Sequence, residues 1–502
     1  MTDAQPILDA MTAGRLADAD RLCRQGLAKG ESALLRYLHG LLLHQWGRVG
    51  EALAALRHAA QLEPRHPDVR FALGVVLVEA GEAAAAAEQW RLVLEAKPDH
   101  DGACYNLARA LTDLGELAEA AEQYRQLLAG HPSRMDARYN LANLHYRLGA
   151  FAEAAAGHRQ VVAAQPGHAA AWVNLGMAEL AQNDAVAAVA AYRRAIALDP
   201  GNVDGHWNLA VLLLGQRRWR EGLAEFEWRL RLPDAPRPPW SLPRWTGAEP
   251  AGTRVLVWND QGAGDALHFA RYLRPLVARG YQPVVLAQDG LAGVLATVPG
   301  VAEAAGFSGP LPQADVHLPL LSLPHALGID DPEADWPGPY VTPPAAQRQG
   351  TRRAVGLVWA GNPAHRNDAR RSLDPALLAP LLACPEVDWV SLQVGAAAEA
   401  CQYPPLAGLV RDLSGDLTDY SRTAAAIAGL DLVITVDTSV AHLAGAMGKP
   451  VWLMLPAFGL DWRWPRYGDR TPLYPSMHLF RQPVDGDWPA VVAVVAEALR
   501  SA

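Results

Sequence analysis

Residues 431–450, DLVITVDTSVAHLAGAMGKP, have the order of a β-strand, a polar turn, a short helix and the start of a second strand. A β-branched run ends at Asp437, the hydroxyl groups of Thr438 and Ser439 suit a helix N-cap, and Gly-Lys-Pro ends the helix. Exposed amides at this helix start, with His442 one turn further on, favour an anion site for a phosphate or diphosphate. A capped helix in an ordinary βαβ unit is the alternative interpretation.

The length and composition of the chain limit the classes of protein to which it can belong. Its 502 residues, 50% of them hydrophobic, are enough for about two to four domains. The formal net charge of −9 argues against a nucleic-acid partner or a polybasic membrane contact. The first residues lack a signal-peptide pattern, and no stretch reaches the ~20 apolar residues of a membrane span, so a cytoplasmic location is expected. The four cysteines have no CxxC spacing, which indicates free thiols.

A 34-residue period runs through the first part of the chain. Small residues, prolines and turn glycines recur at this spacing, and a bulky residue recurs between the small positions. Small side chains lie where paired helices approach most closely, so the pattern predicts an α-helical superhelix of tetratricopeptide (TPR) repeats over residues 1–233. The small positions are Gly40, Gly74, Ala108, Ala142, Gly176 and Ala210, the bulky positions are Leu56, Trp90, Tyr124, His158, Tyr192 and Phe226, and the turn glycines are Gly47, Gly81, Gly115 and Gly149.

Asparagine recurs at the same spacing on the first helix of four successive repeats. A carboxamide offers both hydrogen-bond donors and acceptors, so a column of them suits the backbone of an extended acceptor peptide. The column resembles the asparagine ladder of protein O-GlcNAc transferases, which binds acceptor peptides. The alternative is that asparagine only fills this repeat position. The four residues are Asn106, Asn140, Asn174 and Asn208.

Proline density marks the end of the repeats. Residues 234–250 exclude a helix and are interpreted as a linker. Trp240 and Trp245 indicate that this linker packs against the protein and is not a free tether. A second proline-rich break then separates two predicted Rossmann-like lobes, residues 251–345 and residues 346–502.

The first predicted lobe begins with a strand and a glycine-rich loop. The strand at residues 254–258 is followed by Asn-Asp-Gln-Gly-Ala-Gly, the position at which open α/β sheets bind ligands. The loop lacks the GxGxxG spacing and the distal acidic residue of a dinucleotide site. Asp265 stands at the start of the next helix and is a candidate general base. An ordinary carboxylate at a helix N-terminus is the alternative.

The second predicted lobe carries a basic loop after its first strand. This loop, residues 360–372, includes Arg370 and Arg371, whose charge and planar donors suit a phosphate. An exposed basic loop that is partly neutralised by Asp368 is the alternative.

An aromatic and basic stretch lies late in the chain. Trp462, Arg463 and Tyr474 are candidates to stack on a nucleobase or to close over the site, and buried structural aromatic residues are the alternative. Asp485 and Asp487 have a spacing that suits metal ligands, but they precede the last predicted helix. They are interpreted as its cap, and no metal site is predicted.

In this order, the motifs resemble those of bacterial TPR-containing glycosyltransferases whose catalytic half is related to the lipopolysaccharide heptosyltransferases and has a GT-B fold. The resemblance implies that the first lobe binds the acceptor, that the second binds the nucleotide sugar, and that Asp265 is the base. It implies a donor site built from Asp437, Thr438, Ser439, His442, Arg370, Arg371, Asn362 and Gly361. The motifs that carry the resemblance are Gln261-Gly-Ala-Gly-Asp265 with Phe269-Ala-Arg-Tyr272, Gly361-Asn-Pro with Arg371-Ser372, and Asp437-Thr-Ser-Val-Ala-His442-Leu-Ala-Gly.

The order of a TPR array followed by such a catalytic half resembles that of the bacterial flagellin glycosyltransferases, in which the repeats recruit the protein acceptor. It implies transfer from a nucleotide sugar to Ser or Thr of an acceptor protein such as flagellin, without a cofactor. We predict a metal-independent single displacement, which inverts the anomeric carbon. Ser439 stands where heptosyltransferases have glycine, and the first lobe is shorter, so neither the heptose donor nor the lipid A acceptor is implied. Two alternatives remain: a TPR adaptor or export chaperone with a catalytically silent α/β half, and a glycosyltransferase of a surface polysaccharide. The enzyme interpretation requires Asp265 and the donor-site residues to converge on one crevice.

Overall fold

The computed structural model describes residues 4–334, 336–343, 351–365 and 367–501. The chain divides after Gly205 into two compact units. Within the described ranges, no helix combines the length and the apolar character that a membrane span requires.

Before Gly205, the chain is a row of helix-turn-helix pairs with the predicted 34-residue period. The paired helices approach closely because a small residue faces a bulky one. A Cβ atom added to Gly74 would lie 2.5 Å from the Trp90 indole, and one added to Gly176 would lie 2.5 Å from the Tyr192 ring. The predicted small and bulky positions are therefore confirmed for these pairs. The helices are α1 (Gln5–Thr12), α2 (Leu16–Lys29), α3 (Ala33–Gln45), α4 (Val49–Leu62), α5 (Pro67–Glu79), α6 (Ala83–Ala96), α7 (Asp101–Leu114), α8 (Leu117–Gly130), α9 (Met135–Arg147), α10 (Phe151–Ala164), α11 (Ala169–Ala181), α12 (Ala185–Leu198) and α13 (Val203–Gly215), the last of which crosses the division.

Two glycines inside helices allow a matched test of this packing. Gly74→Ala pushes a methyl group against Trp90, so we expect a loss of ~1–3 kcal/mol in the free energy of unfolding. A Cβ atom added to Gly50 would have no neighbour within 4 Å, so we expect Gly50→Ala to raise the free energy of unfolding by ~0.5 kcal/mol. Chemical denaturation of the full chain measures both variants. Equal effects at the two positions would contradict the close approach at Gly74.

The turns between paired helices require a left-handed residue. The predicted turn glycines, from Gly47 to Gly149, all have φ between 71° and 83°. Asn183 takes the next position in the series and has a φ of 65°. Asparagine is one of the few residues other than glycine that adopts this conformation readily, so the turn is retained where the glycine pattern ends.

The second unit begins with helical residues that continue the repeat pattern. α14 (Trp219–Phe226) buries Trp219 and Phe226 in the same hydrophobic core as Leu267 of the α/β region. The repeats were predicted to extend to residue 233, whereas the compact units divide after Gly205. The difference arises because the last helix pair buries its apolar face in the α/β core.

The predicted linker packs against the first sheet, as its tryptophans indicate. The Trp245 side chain is buried in the core, and the Trp245 backbone N–H donates to the His317 carbonyl oxygen at 2.8 Å. Trp240 meets Trp258 edge to face, with ring centroids 5.8 Å apart. The linker is therefore part of the second unit.

The first sheet contains four parallel strands. Its elements are β1 (Arg254–Trp258), α15 (Ala263–Phe269), α16 (Leu273–Ala278), β2 (Gln282–Ala287), α17 (Asp289–Leu295), β3 (Glu303–Gly306), β4 (Val316–Pro319) and α18 (Leu323–Ala326), and the strand order is β3-β2-β1-β4. The first helix was predicted as one element over residues 266–278. It begins earlier, where the Asp265 carboxylate accepts from the Gly262 N–H at 3.2 Å. It breaks before α16 because Pro275 has no N–H for the carbonyl of Arg271.

The second sheet contains six parallel strands. Its elements are β5 (Arg353–Val358), α19 (Asp368–Arg371), α20 (Ala379–Leu382), β6 (Val387–Ser391), β7 (Val410–Asp412), α21 (Tyr420–Ala428), β8 (Leu432–Val436), α22 (Ser439–Ala446), β9 (Val451–Leu455), β10 (Met477–Arg481) and α23 (Trp488–Ser501), and the strand order is β10-β9-β8-β5-β6-β7. Short 3₁₀ helices lie at Glu227–Arg231, Ala270–Tyr272, Leu320–Ser322, Pro375–Leu378 and Ala396–Gln402. The two parallel sheets confirm the predicted α/β class of this half.

Candidate functional site

Two helix starts meet beyond the carboxyl ends of β1 and β8. Gly264, in the first turn of α15, faces the first turns of α22. A Cβ atom added to Gly264 would lie 3.0 Å from Cδ2 of His442 and 3.6 Å from Cα of Ser439. A larger residue at position 264 would separate the two helices, so the glycine-rich loop is required for their close approach.

Arg463 links the acidic residues on the two sides of this junction. Its buried guanidinium donates through Nη2 to the Asp265 carboxylate and through Nη1 to both oxygens of Asp461, at 2.9 and 3.0 Å. The Arg463 Cζ atom lies 4.4 Å from the Trp462 ring centroid and 5.5 Å from that of Phe269. In the described part of the chain, the buried Nε of Arg463 has no hydrogen-bond partner. The cation is therefore held between two acids and keeps one donor unused.

The Asp265 carboxylate is bonded at both oxygens, to Arg463 and to the Gly262 N–H. Burial raises the pKa of Asp265 above its ordinary value, although the positive charge of Arg463 opposes the rise. The negative charge of Asp461 adds to it. A half-buried carboxylate with a raised pKa is a stronger base than a fully exposed aspartate, which suits the predicted role.

Asp437 shares this electrostatic environment. Burial raises the pKa of Asp437 to about 7, and the negative charge of Asp461 adds to the rise. The positive charges of Arg371 and Arg463 oppose it. Near neutral pH, Asp437 is therefore present in both its protonated and its ionised form. It interacts with Arg371 of the basic loop and with Arg463, the arginine that binds Asp265.

The raised pKa of Asp437 predicts a pH-dependent stability. Its folded-state pKa, about 7, lies above the unfolded value of ~3.9. The resulting contribution to stability is fully present below about pH 4 and is lost as the pH rises through about 7. We therefore expect Asp437→Asn, which fixes a neutral side chain, to raise the urea midpoint relative to the wild type more at pH 8 than at pH 5. The same difference at both pH values would contradict the raised pKa.

The start of α22 lacks the side-chain cap that the sequence predicted. Thr438 occupies the N-cap position, but no side chain caps the helix. The Thr438 hydroxyl instead lies 3.2 Å from the Thr435 hydroxyl, and the Ser439 hydroxyl accepts from Tyr420 at 2.8 Å. The cap prediction is therefore wrong, because both hydroxyls bond to groups outside the first turn. The uncapped amides suit an anion.

His442 was expected to offer a positive charge to a phosphate. The imidazole is buried, stacks on Trp464 with centroids 5.3 Å apart, and has its Nδ1 atom 3.1 Å from the Tyr474 hydroxyl. Burial and the neighbouring Arg463 and Arg271 hold the pKa of His442 well below its ordinary value. The cationic role is therefore wrong, because the protonated ring would be desolvated beside two arginines. A neutral ring remains available for hydrogen bonding.

The aromatic stretch was predicted to stack on a nucleobase or to close over the site. Tyr474 is fully buried, and its hydroxyl lies 3.2 Å from Nδ1 of His268. The Trp462 ring packs edge to face on Trp219 and Phe226. The alternative of a buried structural aromatic residue therefore holds for Tyr474, whereas Trp462 is half-buried against Trp219 and Phe226 and its role over the site stays a prediction. Arg463, between them in sequence, reaches the site.

The basic loop of the second sheet folds around Gly361. A Cβ atom added there would lie 2.5 Å from Oδ1 of Asp368 and 2.8 Å from Nε of Arg371. The Gly361 N–H donates to the Ser372 hydroxyl at 2.9 Å, and Arg371 donates to Asp368 at 3.2 Å. The glycine therefore makes room for the guanidinium that interacts with Asp437, and the acid predicted to neutralise the loop binds that same arginine.

Arg370 and Asn362 lie further out on the same loop. Both are exposed; the Arg370 Cζ atom lies 5.0 Å from the Phe458 ring centroid, and the Asn362 side chain accepts from the Ala364 N–H at 3.0 Å. These contacts lie within surface loops, so the donor-binding role of both residues stays a prediction.

Asp461 is the site residue that the sequence analysis missed. It binds Arg463 and raises the pKa of both Asp265 and Asp437. Its position two residues before an arginine, in a stretch rich in tryptophan, was the signal.

Among the described residues, no three His, Cys, Asp or Glu side chains gather as metal ligands, and Asp487 caps α23 through the Ala490 N–H at 3.1 Å.

The predicted asparagine column falls on the first helices of the repeats. Asn106, Asn140 and Asn174 lie on α7, α9 and α11, and each is half-buried. Asn208 lies on α13 beyond the division after Gly205. Three of the four asparagines therefore lie in the first unit, and the peptide-binding role stays a prediction.

The comparisons with known proteins concern mainly the first unit. The tetratricopeptide repeat family matches residues 37–101, 105–157 and 159–203. These residues form TPR repeats. TPR arrays present extended binding surfaces and suggest a protein-interaction role for this unit.

Protein FlbA of Caulobacter vibrioides is similar to a longer part of the chain. The two are 28% identical over 338 residues, which are 58% of this chain and 54% of FlbA. The chain therefore spans about half the length of that relative.

Two solved structures of TPR proteins resemble the chain more distantly. YrrB, a TPR protein with an unusual peptide-binding site, is 20% identical, with a TM-score of 0.35, over 36% of this chain and 95% of its own. The C-terminal part of a TPR repeat-containing protein from Cytophaga hutchinsonii is 14% identical, with a TM-score of 0.40, over 46% of this chain and 95% of its own.

Proposed function

We propose that this protein is a GT-B type glycosyltransferase that moves a sugar from a nucleotide sugar to Ser or Thr of a protein bound by the TPR repeats. The observation that supports this proposal is the convergence of the predicted base and the predicted donor residues. Asp265, Asp437 and Arg371 interact through the group formed with Asp461 and Arg463, and Gly264 contacts His442. A silent α/β half has no need of mutually interacting charges, one of them the buried Arg463 guanidinium, at the carboxyl ends of two sheets.

The proposed reaction is a single displacement. Asp265 takes the proton of the acceptor hydroxyl while that oxygen forms a bond to the anomeric carbon of the donor sugar. The bond from the anomeric carbon to the phosphate oxygen breaks, and the nucleotide leaves with the electron pair. Attack and departure on opposite faces of the sugar invert the anomeric configuration.

Positive groups beside α22 would stabilise the leaving phosphate. The uncapped amides at Thr438 and Ser439, together with Arg371 and Arg463, supply the charge that a metal supplies in other enzymes. Asp437 would bind donor hydroxyl groups, and its raised pKa lets it act as either a hydrogen-bond donor or an acceptor at neutral pH. In this proposal the nucleotide sugar is a substrate, and no cofactor takes part.

The TPR repeats would recruit the acceptor. A protein acceptor such as flagellin would be modified in the cytoplasm, where nucleotide sugars are available to the enzyme. The asparagine column on α7, α9 and α11 is the proposed acceptor-binding surface of the first unit.

Thermal unfolding of the full chain with a panel of UDP-, GDP-, dTDP- and CMP-sugars tests the proposal. A donor present at 100 times its Kd adds about 2.7 kcal/mol of stability, so we expect at least one sugar nucleotide to raise the Tm by about 5 °C or more. Arg371→Ala should lose this shift, whereas Arg500→Ala, which removes an exposed arginine from α23, should keep it.

The two alternatives are outcomes of the same experiment. If no sugar nucleotide raises the Tm, the protein is a TPR adaptor or chaperone. If a donor binds but its sugar is transferred only to a polysaccharide, the protein acceptor is wrong.

A further inference from the structure

The turn between α13 and α14 differs from the other repeat turns in its residue type. Glycine occupies this turn position from Gly47 to Gly149, and Asn183 follows. Arg217 is the next residue at the 34-residue spacing, and its φ is 62°. Among the described residues other than glycine, only Asn183 and Arg217 have a positive φ. Arginine adopts this left-handed conformation much less readily than glycine or asparagine. Such strain persists where the surroundings hold the residue, often at functional sites.

The Arg217 side chain reaches the stretch that carries Arg463. Nη1 of Arg217 donates to the Trp462 carbonyl oxygen at 2.8 Å, and Nη2 donates to the Arg463 carbonyl oxygen at 3.3 Å. The two carbonyl groups belong to residues that lie 245 and 246 positions further along the chain. One planar guanidinium therefore binds two successive backbone carbonyls, a geometry that suits its fixed donors better than it suits a lysine ammonium.

Two further contacts hold the Arg217 guanidinium in place. Its Nε atom lies 2.9 Å from Oε1 of Glu333, a residue between α18 and β5. Its Cζ atom lies 5.0 Å from the Trp219 ring centroid in α14. The Arg217 side chain is 24% exposed and that of Glu333 is 19% exposed, so the ion pair is partly shielded from solvent. The guanidinium is therefore fixed on several sides.

The other end of Arg463 belongs to the candidate site. Its guanidinium binds the Asp265 carboxylate and both oxygens of Asp461. The Arg463 and Trp464 N–H groups also donate to Asp461, at 2.9 and 3.0 Å, so the backbone of this stretch is a tight turn. Arg217 binds that turn on one side and Asp265 contacts it on the other. A shift of the turn by about 1 Å would take the guanidinium out of hydrogen-bonding range of Asp265.

We propose that Arg217 is a positioning residue, which holds the backbone at Arg463 so that the Arg463 guanidinium meets Asp265. It thereby ties the last helix pair of the repeats to the proposed site. Arg217 touches no substrate and acts through Arg463, and its effect on sugar transfer rests on the proposed function. This role accounts for arginine at a position that glycine fits better, because neither glycine nor asparagine has a side chain that could reach the two carbonyls.

Hydrogen–deuterium exchange of the full chain, read by mass spectrometry, tests the positioning without any substrate. Arg217→Gly removes the side chain and keeps the turn, because glycine adopts a positive φ freely. Asn183→Gly makes the matched change at the turn one repeat earlier. We expect the amides of residues 461–464 to exchange about fivefold faster in Arg217→Gly, at the wild-type rate in Asn183→Gly, and at an intermediate rate in Arg217→Lys. The Tm of each variant is the control for folding.

The pH profile of sugar transfer measures the effect on the proposed base. The positive charge of Arg463 opposes the rise in the pKa of Asp265, so loosening Arg463 raises that pKa further. The acidic limb of the kcat–pH profile should therefore move to higher pH by about 0.5 pH units or more in Arg217→Gly, and kcat at pH 7 should fall about tenfold. A purely structural role of Arg217 would lower the Tm and leave this limb in place.

A double-mutant cycle tests whether Arg217 acts through Arg463. The double variant Arg217→Gly with Arg463→Met should transfer sugar no more slowly than Arg463→Met alone. Independent effects would multiply and make the double variant about tenfold slower than Arg463→Met. If Arg463→Met does not fold, the exchange rates and the acidic limb of the single variants decide the question.

Three results would overturn the proposal: unchanged exchange of residues 461–464 in Arg217→Gly, an acidic limb that does not move, or multiplied effects in the double variant. Failure of the transferase is recognised separately, as a wild-type chain that neither binds a sugar nucleotide nor transfers a sugar. The exchange rates then decide by themselves whether Arg217 positions Arg463.

Discussion

Asp265→Asn is expected to lower kcat for sugar transfer by about 10²-fold or more while leaving donor affinity nearly unchanged. Asparagine keeps a side-chain oxygen that accepts from the Gly262 N–H, so the start of α15 is preserved. It has no group that takes the acceptor proton, which is the role proposed for the carboxylate. Single-turnover transfer from the donor identified by thermal unfolding, together with calorimetric titration of that donor, measures the two quantities.

Because Asp265 is paired with Arg463, the Asp265→Asn variant distinguishes a general base from a carboxylate that only neutralises the arginine. If Asp265 only neutralises Arg463, the asparagine variant would lose donor affinity or stability and keep a near-wild-type kcat. Turnover close to that of the wild type would remove Asp265 from the mechanism. The urea midpoint of the variant is the control for folding.

Arg229→Met is expected to lower the free energy of unfolding of the second unit by about 3–5 kcal/mol, because it leaves a buried carboxylate without its partner. The Arg229 and Asp260 side chains are both fully buried, and Nε donates to Oδ2 at 2.7 Å. The guanidinium also donates to the Ser322 hydroxyl and to Glu227, both at 2.9 Å. Denaturation in urea measures the loss. Asp260 precedes the loop that carries Asp265, so a rise in KM or a fall in kcat is expected to accompany it.

An exposed ion pair of the same residue types is the matched control. Arg220 and Asp330 are 2.9 Å apart, with side chains 82% and 63% exposed. Arg220→Met should therefore cost no more than about 1 kcal/mol. The double variant Arg229→Met with Asp260→Leu should recover much of the loss, because it removes both buried charges. A cost at Arg229 as small as that at Arg220 would show that the buried network is not required.

Much of the fold was predictable because its signals are local and periodic. The 34-residue spacing located Gly74 opposite Trp90, and apolar runs located the strands at Arg254–Trp258 and Val451–Leu455. The division of the compact units after Gly205 was not predictable from spacing alone. The last helix pair keeps the repeat pattern, but its apolar face packs against the larger apolar surface of the α/β core.

The site was less predictable because side-chain partners come from distant parts of the chain. The sequence analysis assigned Asp265 and Asp437 to one site. The guanidinium between them belongs to Arg463, which lies 198 residues from Asp265 along the chain. The charge of His442 depends on burial and on nearby arginines, which no local pattern encodes. The sequence analysis also missed that Nδ2 of Asn140 donates to the Tyr105 hydroxyl and Nδ2 of Asn174 to the Tyr139 hydroxyl, although the 35-residue offset is visible in the sequence.

The charge balance around Arg463 has a thermodynamic consequence for any anionic donor. Four carboxylates, of Asp265, Asp437, Asp461 and Asp368, face the guanidinium groups of Arg463 and Arg371, so the group carries an excess negative charge when all are ionised. A diphosphate bound at α22 would add further negative charge. Protonation of Asp437, whose pKa is already about 7, would compensate that charge at the lowest cost in free energy. If the proposed donor binds at α22, we therefore expect its association to take up a proton and its affinity to fall as the pH rises through about 7.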